Sequence, residues 1–287
     1  MNNKVRGFNV VNAIFLTILA FMTFYPFLQT LLTSFASYED VLNAKFIVIP
    51  WHFNFDSYKE IFESGVILRP YITSMIITIV STALQLFLTS LGAYVLASKT
   101  LPFKRALNGF IIFTMFFGGG LIAFVLLLKS LHLLNSYFGL IIPFAVNAFY
   151  LILLKNYMRR LPDSVFEAAR LDGASEFRIF IKIALPLCIP ALMTIGLYYF
   201  VGSWNDWYWP MIIIEDPEKY TLAYVLRYLI MNSSSDLQIN GHVNPTYLNS
   251  RTKEAATVIV SIIPMIVVFP IVQKYFVKGI TLGAVKD

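Results

Sequence analysis

The chain has 287 residues, of which 58% are hydrophobic and only 13% charged, and its mean hydropathy is +0.70. An ordinary soluble domain carries about 25% charged residues, so this composition excludes one. A net charge of +6 and a pI near 9.2 raise nucleic acid as a partner, but no basic stripe with interleaved aromatics occurs, and the excess cation is assigned to membrane topology instead.

Lys4 and Arg6 precede an apolar run from about Phe8 to Ala36. It is longer than the hydrophobic region of a signal peptide and lacks a small-residue cleavage site, which predicts an uncleaved anchor. Ser37 to Arg69, with Trp51, His52, Phe53 and several acids, reads as a folded loop holding one or two short helices. Apolar runs then cover about Pro70 to Ala97, Ala106 to Leu128 and Phe138 to Tyr157. Gly118, Gly119 and Gly120 fall inside the second of these, at a depth where a phosphate cradle makes no sense; they predict helix packing or a local kink.

The next stretch, Leu161 to Leu187, reads LPDSVFEAARLDGASEFRIFIKIALPL and is rich in charged and small residues. Ser164 followed three residues later by Glu167 is a capping-box pattern, so a helix is predicted to start here and to end at Gly173. Ser175 can cap a second short helix, on which Phe177, Phe180, Ile181 and Ala184 share a face and which Pro186 closes. By pattern alone this helix-turn-helix knuckle is either an amphipathic linker between spans or a docking element, its bend built from Ala168, Ala169, Gly173 and Ala174.

Runs from about Ile183 to Trp204 and from about Ala255 to Val277 complete the series. Each run is near or above the ~20 residues that cross hydrocarbon, which predicts an all-α polytopic membrane protein of about six transmembrane helices. Trp204, Asn205, Asp206, Trp207, Tyr208 and Trp209 cluster at the end of the fifth run. Such a cluster is either an interfacial aromatic belt or a place where rings stack on a sugar while Asn and Asp bond its hydroxyls. Tyr208 to Asn232 is interrupted by Glu215, Asp216, Pro217, Glu218 and Lys219, which predicts a re-entrant or surface helix rather than a seventh span. Ser233 to Lys253, rich in Ser, Asn and Gly, is predicted to be a mobile loop.

Placing both termini, the Lys99 to Arg105 turn and the Lys155 to Lys182 segment on one side gathers most of the 22 Lys and Arg there and leaves most of the 16 Asp and Glu on the other. The positive-inside rule makes that side cytoplasmic, and the knuckle with it. Catalytic motifs are missing: there is no phosphate loop, zinc-binding H-E-x-x-H or G-x-S-x-G elbow. His52, His132 and His242 are scattered, and Cys188 stands alone, so no catalytic or metal site is expected. The spans read as lacking the buried acids and bases of ion-coupled transporters. Gln85, Asn147, Ser74, Thr78, Ser81, Thr82, Thr89 and Ser90 offer hydrogen bonds without charge, either lining a path for a neutral, hydroxyl-rich solute or joining helices.

EAARLDGAS, from Glu167 to Ser175, resembles the EAA signature of the permease subunits of ABC importers, with the match complete at Glu167, Ala168, Ala169, Asp172, Gly173 and Ala174. The Pro186 that follows and the Trp204-Asn205 pair are similar to features of the sugar-importer permeases, especially the maltose-type family and its oligosaccharide branch. Ala123 departs from the pattern, standing where such permeases often carry proline. The resemblance covers about Pro70 to Lys286. It implies a type I ABC importer permease fold in three parts: an N-terminal span and external loop over 1–69, a permease domain over 70–278 with the EAA loop at 159–187 and an external loop at 205–254, and a cytoplasmic tail at 279–287.

By the same resemblance the chain is a non-catalytic subunit in the cell membrane, working with a second, different permease, two ATP-binding subunits that hold the ATP and Mg, and an external solute-binding protein. Glu167, Ala168, Ala169, Asp172, Gly173, Ala174 and Ser175 would seat in the ATPase, Glu167 pairing with a basic group there. Phe177, Phe180 and Ile181 would tie the knuckle to its own bundle. Trp204, Asn205, Asp206 and Tyr208 would lie on the substrate path. Permeases for amino acids, phosphate or polyamines share the EAA loop, and an ion-coupled secondary transporter is a further alternative.

Overall fold

A computed structural model of the chain describes residues 3–44, 49–51, 53–233 and 245–284. Their regular structure is entirely helical. We number the helices α1 (Asn3–Ser34), α2 (Tyr38–Asn43), α3 (Asp56–Glu63), α4 (Leu68–Ala97), α5 (Lys104–Phe116), α6 (Leu121–Ser130), α7 (Tyr137–Ile141) and α8 (Ala148–Met158). There follow α9 (Asp163–Leu171), α10 (Glu176–Leu187), α11 (Ile189–Trp204), α12 (Tyr208–Ile213), α13 (Leu222–Ser233) and α14 (Pro245–Ala284). The chain forms two compact units, Met1–Arg69 with Val225–Ile263, and Pro70–Tyr224 with Pro264–Asp287.

In the first unit, α1 is exposed continuously from Phe8 to Phe27, the burial expected of a helix whose solvent is lipid or another chain. The segment after it folds as the sequence predicts, although 45–48 and His52 lie outside the described residues. Ser37 and Asp40 form a reciprocal cap on α2: Ser37 Oγ accepts the Asp40 N–H at 3.2 Å and Asp40 Oδ2 accepts the Ser37 N–H at 2.9 Å. The Phe35 ring packs against Phe53, Phe55 and Tyr58, and the Tyr58 hydroxyl donates to Ser34 Oγ at 2.7 Å.

Ser233 to Lys253 differs from expectation. Residues 234–244, His242 among them, lie outside the described residues, whereas 245–253 already belong to α14. That turn of helix is held by tertiary bonds that local composition does not encode: Ser57 Oγ donates to Thr252 Oγ1 at 2.9 Å, and Lys253 pairs with Glu60. Helix α14 continues to Ala284, through Pro264 and Pro270 and most of the expected tail.

The second unit is built around α4. Its 30 residues bury Ser74, Thr78, Ser81, Gln85 and Thr89, which recur at three- to four-residue spacing and so share one face. One apolar cluster joins Ala93 and Leu96 of α4 to Leu151, Leu154 and Met158 of α8, Cys188, and Ile195 and Tyr199 of α11. A second joins Ile77 to Leu128, Leu140, Ile141, Ile213 and Ile214.

Among the described residues three helical stretches are long and apolar enough to cross a membrane, Phe8–Ser34, Leu68–Ala97 and Arg251–Lys274. The run around the triple glycine is broken instead, α5 and α6 meeting at 111°. Gly120 there has φ +82°, and a side chain on Gly118 or Gly119 would touch nothing within 4 Å, so the glycines make a bend and not a packing contact. Ala123 lies inside an unbroken α6. The fifth run also bends, by 81° between α10 and α11 at the buried Cys188.

Phe138 to Tyr157 is not the single span predicted. Helix α7 stops at Ile141, short of Pro143, and Asn147 starts α8 afresh, its Oδ1 accepting the N–H groups of Phe149 at 2.9 Å and Tyr150 at 3.2 Å. Asn147→Ala should therefore destabilise the bundle by about 1 kcal/mol. A thermal melt of the purified protein would register this, and an unchanged midpoint would remove the cap's importance.

Candidate functional site

The knuckle predicted at Leu161 to Leu187 is present, with its turn drawn more sharply than the sequence could show. Helix α9 starts after Pro162, and no side chain caps it, so the expected Ser164–Glu167 capping box is not formed. Proline at the N-cap has already set the entry of the chain, and Glu167 is left exposed. At the other end the Gly173 N–H bonds Arg170 O at 3.0 Å and the Ala174 N–H bonds Ala169 O at 3.0 Å. With Gly173 at φ +76°, this is the paired 5→2 and 6→1 closure of a Schellman turn. Ser175 then caps α10, its Oγ accepting the Arg178 N–H at 3.4 Å.

The motif residues lie together on this bend. Glu167, Ala168, Asp172, Gly173 and Ser175 are exposed, and Ala169 and Ala174 are half-buried. Among the described residues, the carboxylates of Glu167 and Asp172 accept no hydrogen bond from the chain. Sequence reasoning missed Leu171. It is 89% exposed, an apolar side chain standing free between two unpaired acids; its position just before the asparto-glycine turn is the only signal that could have singled it out.

The attachment of α10 to the bundle also corrects an expectation. Phe180 is buried, but Phe177 and Ile181 are 63% and 45% exposed, while the unpredicted Ile179 is fully buried. The cause is a π-turn from Phe180 to Ala184, which inserts an extra residue per turn and rotates the face. Pro186 explains it: proline has no N–H for the carbonyl four residues back and clashes with it, and the wider turn relieves both. The helix thus passes through Pro186 and ends at Leu187.

Polar bonds complete the attachment. Glu176, the first residue of α10, accepts the Arg170 Nε–H on Oε1 at 2.7 Å and the Tyr94 hydroxyl on Oε2 at 2.6 Å. Lys99 pairs with Asp163 at 2.5 Å. The bond from Arg170, then that from Tyr94, holds the Glu176 carboxyl below the usual carboxylate range. A depressed carboxyl keeps its contribution at neutral pH and loses it only as pH falls through the lowered value.

The aromatic cluster resolves into separate jobs. Trp204 is buried, edge-on to Tyr71 at 5.5 Å and parallel to Phe200 at 6.5 Å. Asp206 Oδ1 accepts the N–H groups of Tyr208 at 3.1 Å and Trp209 at 3.2 Å, starting α12. Burial raises the pKa of its carboxyl, and the two N–H bonds oppose that. Trp209 packs between Phe124 at 4.9 Å and Phe144 at 5.1 Å. Asn205 and Tyr208 are exposed. No helix long enough to cross a membrane occurs within 208–233; α12 and α13 are both short.

Three of the eight uncharged hydrogen-bonding groups bond across to another element. Gln85 Nε2 donates to Phe144 O at 3.0 Å, Thr89 and Tyr199 share a bond of 2.7 Å, and Ser74 Oγ accepts the Leu222 N–H at 2.8 Å. The oxygens Thr78 Oγ1, Ser81 Oγ, Thr82 Oγ1 and Gln85 Oε1 are buried without a partner. Lys155, counted from the sequence with the cytoplasmic segment, proves to be only 8% exposed in α8 and donates to Asn108 Oδ1 at 2.8 Å.

Long apolar helices, two bent helix pairs and an exposed knuckle between them are the build of a multi-pass membrane protein. The chain belongs to the family described as binding-protein-dependent transport system inner membrane component, whose pattern matches residues 6–282. Members are non-catalytic membrane subunits, ATP being hydrolysed by a separate subunit. The chain is 39% identical over 286 residues to the polygalacturonan/rhamnogalacturonan transport system permease protein YtcP of Bacillus subtilis (strain 168), covering 99% of each. It is 37% identical to protein LplC of the same organism, covering 100% of this chain and 98% of the relative. A crystallised bacterial ABC transporter involved in the import of the acidic polysaccharide alginate contains a chain of the same fold, with a TM-score of 0.86 and 33% identity over 96% of this chain and 99% of that one.

Proposed function

We propose that the chain is a permease subunit of an ATP-driven, binding-protein-dependent importer of oligosaccharides, and that its knuckle seats in the ATPase and carries closure of that motor into the bundle. The observation that carries this reading is the Schellman-closed bend at Gly173, presenting Glu167, Leu171 and Asp172 without partners of their own. The expected assembly has a second, different permease, two ATP-binding subunits holding ATP and Mg, and an external solute-binding protein. Most Lys and Arg then face the cytoplasm, with both termini. Because the bend is closed by two backbone hydrogen bonds, its displacement would carry α9 and α10 together and tilt the spans between outward and inward access. The saccharide assignment rests on the relatives' named substrates. Asn205 and Tyr208 are the exposed groups best suited to meet a sugar, beside the buried Trp204 and with Asp206 fixing the backbone of Tyr208.

The test is uptake into proteoliposomes holding the full complex and its binding protein. Labelled oligogalacturonate should accumulate only with internal ATP, an unlabelled oligosaccharide should compete, and amino acids, phosphate and polyamines should not. Accumulation driven by an ion gradient without ATP would overturn the motor reading, and binding of an amino acid by the cognate binding protein would overturn the saccharide reading alone.

A further inference from the structure

Helix α4 runs without a break from beside the knuckle through the second unit, and the chain fastens something to each of its ends. Near its last turn the Tyr94 hydroxyl bonds Glu176 Oε2 at 2.6 Å, and Glu176 in turn bonds Arg170 of α9 at 2.7 Å. The Tyr94 ring also lies 5.2 Å from that of the buried Phe180. Near its first turns the Ser74 hydroxyl holds the backbone N–H of Leu222 at 2.8 Å, a buried bond to the first residue of α13. From Ser74 to Tyr94 a helix rising 1.5 Å per residue spans about 30 Å, the hydrocarbon thickness of a bilayer.

We propose that Tyr94, Glu176 and Arg170 form the clasp through which motion of the knuckle enters α4, and that α4 acts as a rod delivering it to the Thr221–Leu222 segment on the opposite side. This rests on the reading of the knuckle as the ATPase seat. Two features favour the clasp as the point of entry. Both of its bonds end on one carboxylate, so displacement of α9 through Arg170 is felt at Tyr94 directly, and bonds to a charged group are stronger and shorter than neutral ones. The α9 side of the knuckle has no buried residue of its own, so polar ties rather than apolar packing transmit its movement. Tyr94, Arg170 and Glu176 are positioning residues; they touch neither solute nor nucleotide.

The experiment is Tyr94→Phe in the complete complex, which removes one hydroxyl and keeps the ring on Phe180. The complex should still contain its ATPase and hydrolyse ATP, while solute moved per ATP falls by about fivefold, the size of one ordinary hydrogen bond lost at a solvent-exposed position. Glu176→Gln should lower the same ratio, and the double variant should be no worse than the poorer single one. Ser74→Ala should reproduce the uncoupling from the other end. An unchanged ratio in Tyr94→Phe, or additive losses in the double variant, would sink the clasp. Loss of the ATPase from Tyr94→Phe would also sink it, because the residue would then be needed for assembly. Gly173 variants with normal ATPase association and uptake would instead remove the reading of the knuckle on which it stands.

Discussion

Gly173→Val is expected to abolish uptake while the permease still inserts into the membrane. At φ +76° the position is left-handed, where a side chain costs about 1–2 kcal/mol and a β-branched one more. The turn that fixes α9 against α10 would open, and the exposed acids and Leu171 would lose their relative placement. The residue has nothing within 4 Å of a built Cβ, so no clash inside this chain complicates the result. Gly173→Asn separates the two contributions, since asparagine tolerates left-handed backbone. It should preserve the turn and lose function only by projecting into the docking surface. Co-purification of the ATPase and the uptake rate are the measurements; normal values for the valine variant would dismiss the knuckle as a coupling element.

Gly139→Ala should be among the most destabilising single changes available in the second unit. A Cβ there would sit 2.2 Å from the carbonyl oxygen of Leu133 and 3.0 Å from Cγ2 of Ile213. The first is a backbone atom that cannot rotate away. The same loop clips the 213–219 segment: the Asn135 N–H bonds Ile213 O at 2.7 Å, Asn135 Oδ1 accepts the Asp216 N–H at 3.1 Å, and Lys219 Nζ bonds Asn135 O at 3.1 Å. Forcing this junction apart should cost about 3 kcal/mol, the upper end of overpacking penalties. A melting midpoint within a degree or two of the parent would contradict the close approach.

The helical class was legible because apolar runs near 20 residues long dominate the chain and little else does. The turn of the knuckle was legible from Gly173 and Ser175, residues whose backbone preferences act within a turn or two, whereas its start was assigned to a Ser164–Glu167 box that Pro162 displaces. What sequence could not supply is whatever depends on distant partners. Tyr94 and Glu176 are 82 positions apart, and nothing local announces their bond. The face of α10 was misjudged because a 3.6-residue period was assumed through a stretch where Pro186 imposes a wider turn. Residues 245–253 look like loop until Ser57 and Glu60 are brought against Thr252 and Lys253. In the aromatic cluster, composition names the rings but not which of them are sealed inside, and Trp204 is.

The stripe of α4 carries a mechanical consequence. Thr78, Ser81 and Thr82 are hydroxyl-bearing and hold no partner among the described residues of the chain, so the directional bonds of this helix to its neighbours are concentrated at Ser74 on one side of that stretch and at Gln85 and Thr89 on the other. Small groups that can exchange acceptors offer little resistance to axial sliding, unlike interlocked leucines that must climb over one another. A pull entering near Tyr94 therefore meets its firm ties at Thr89 and Gln85 first, and the compliant stretch lies beyond them, next to the Ser74 grip.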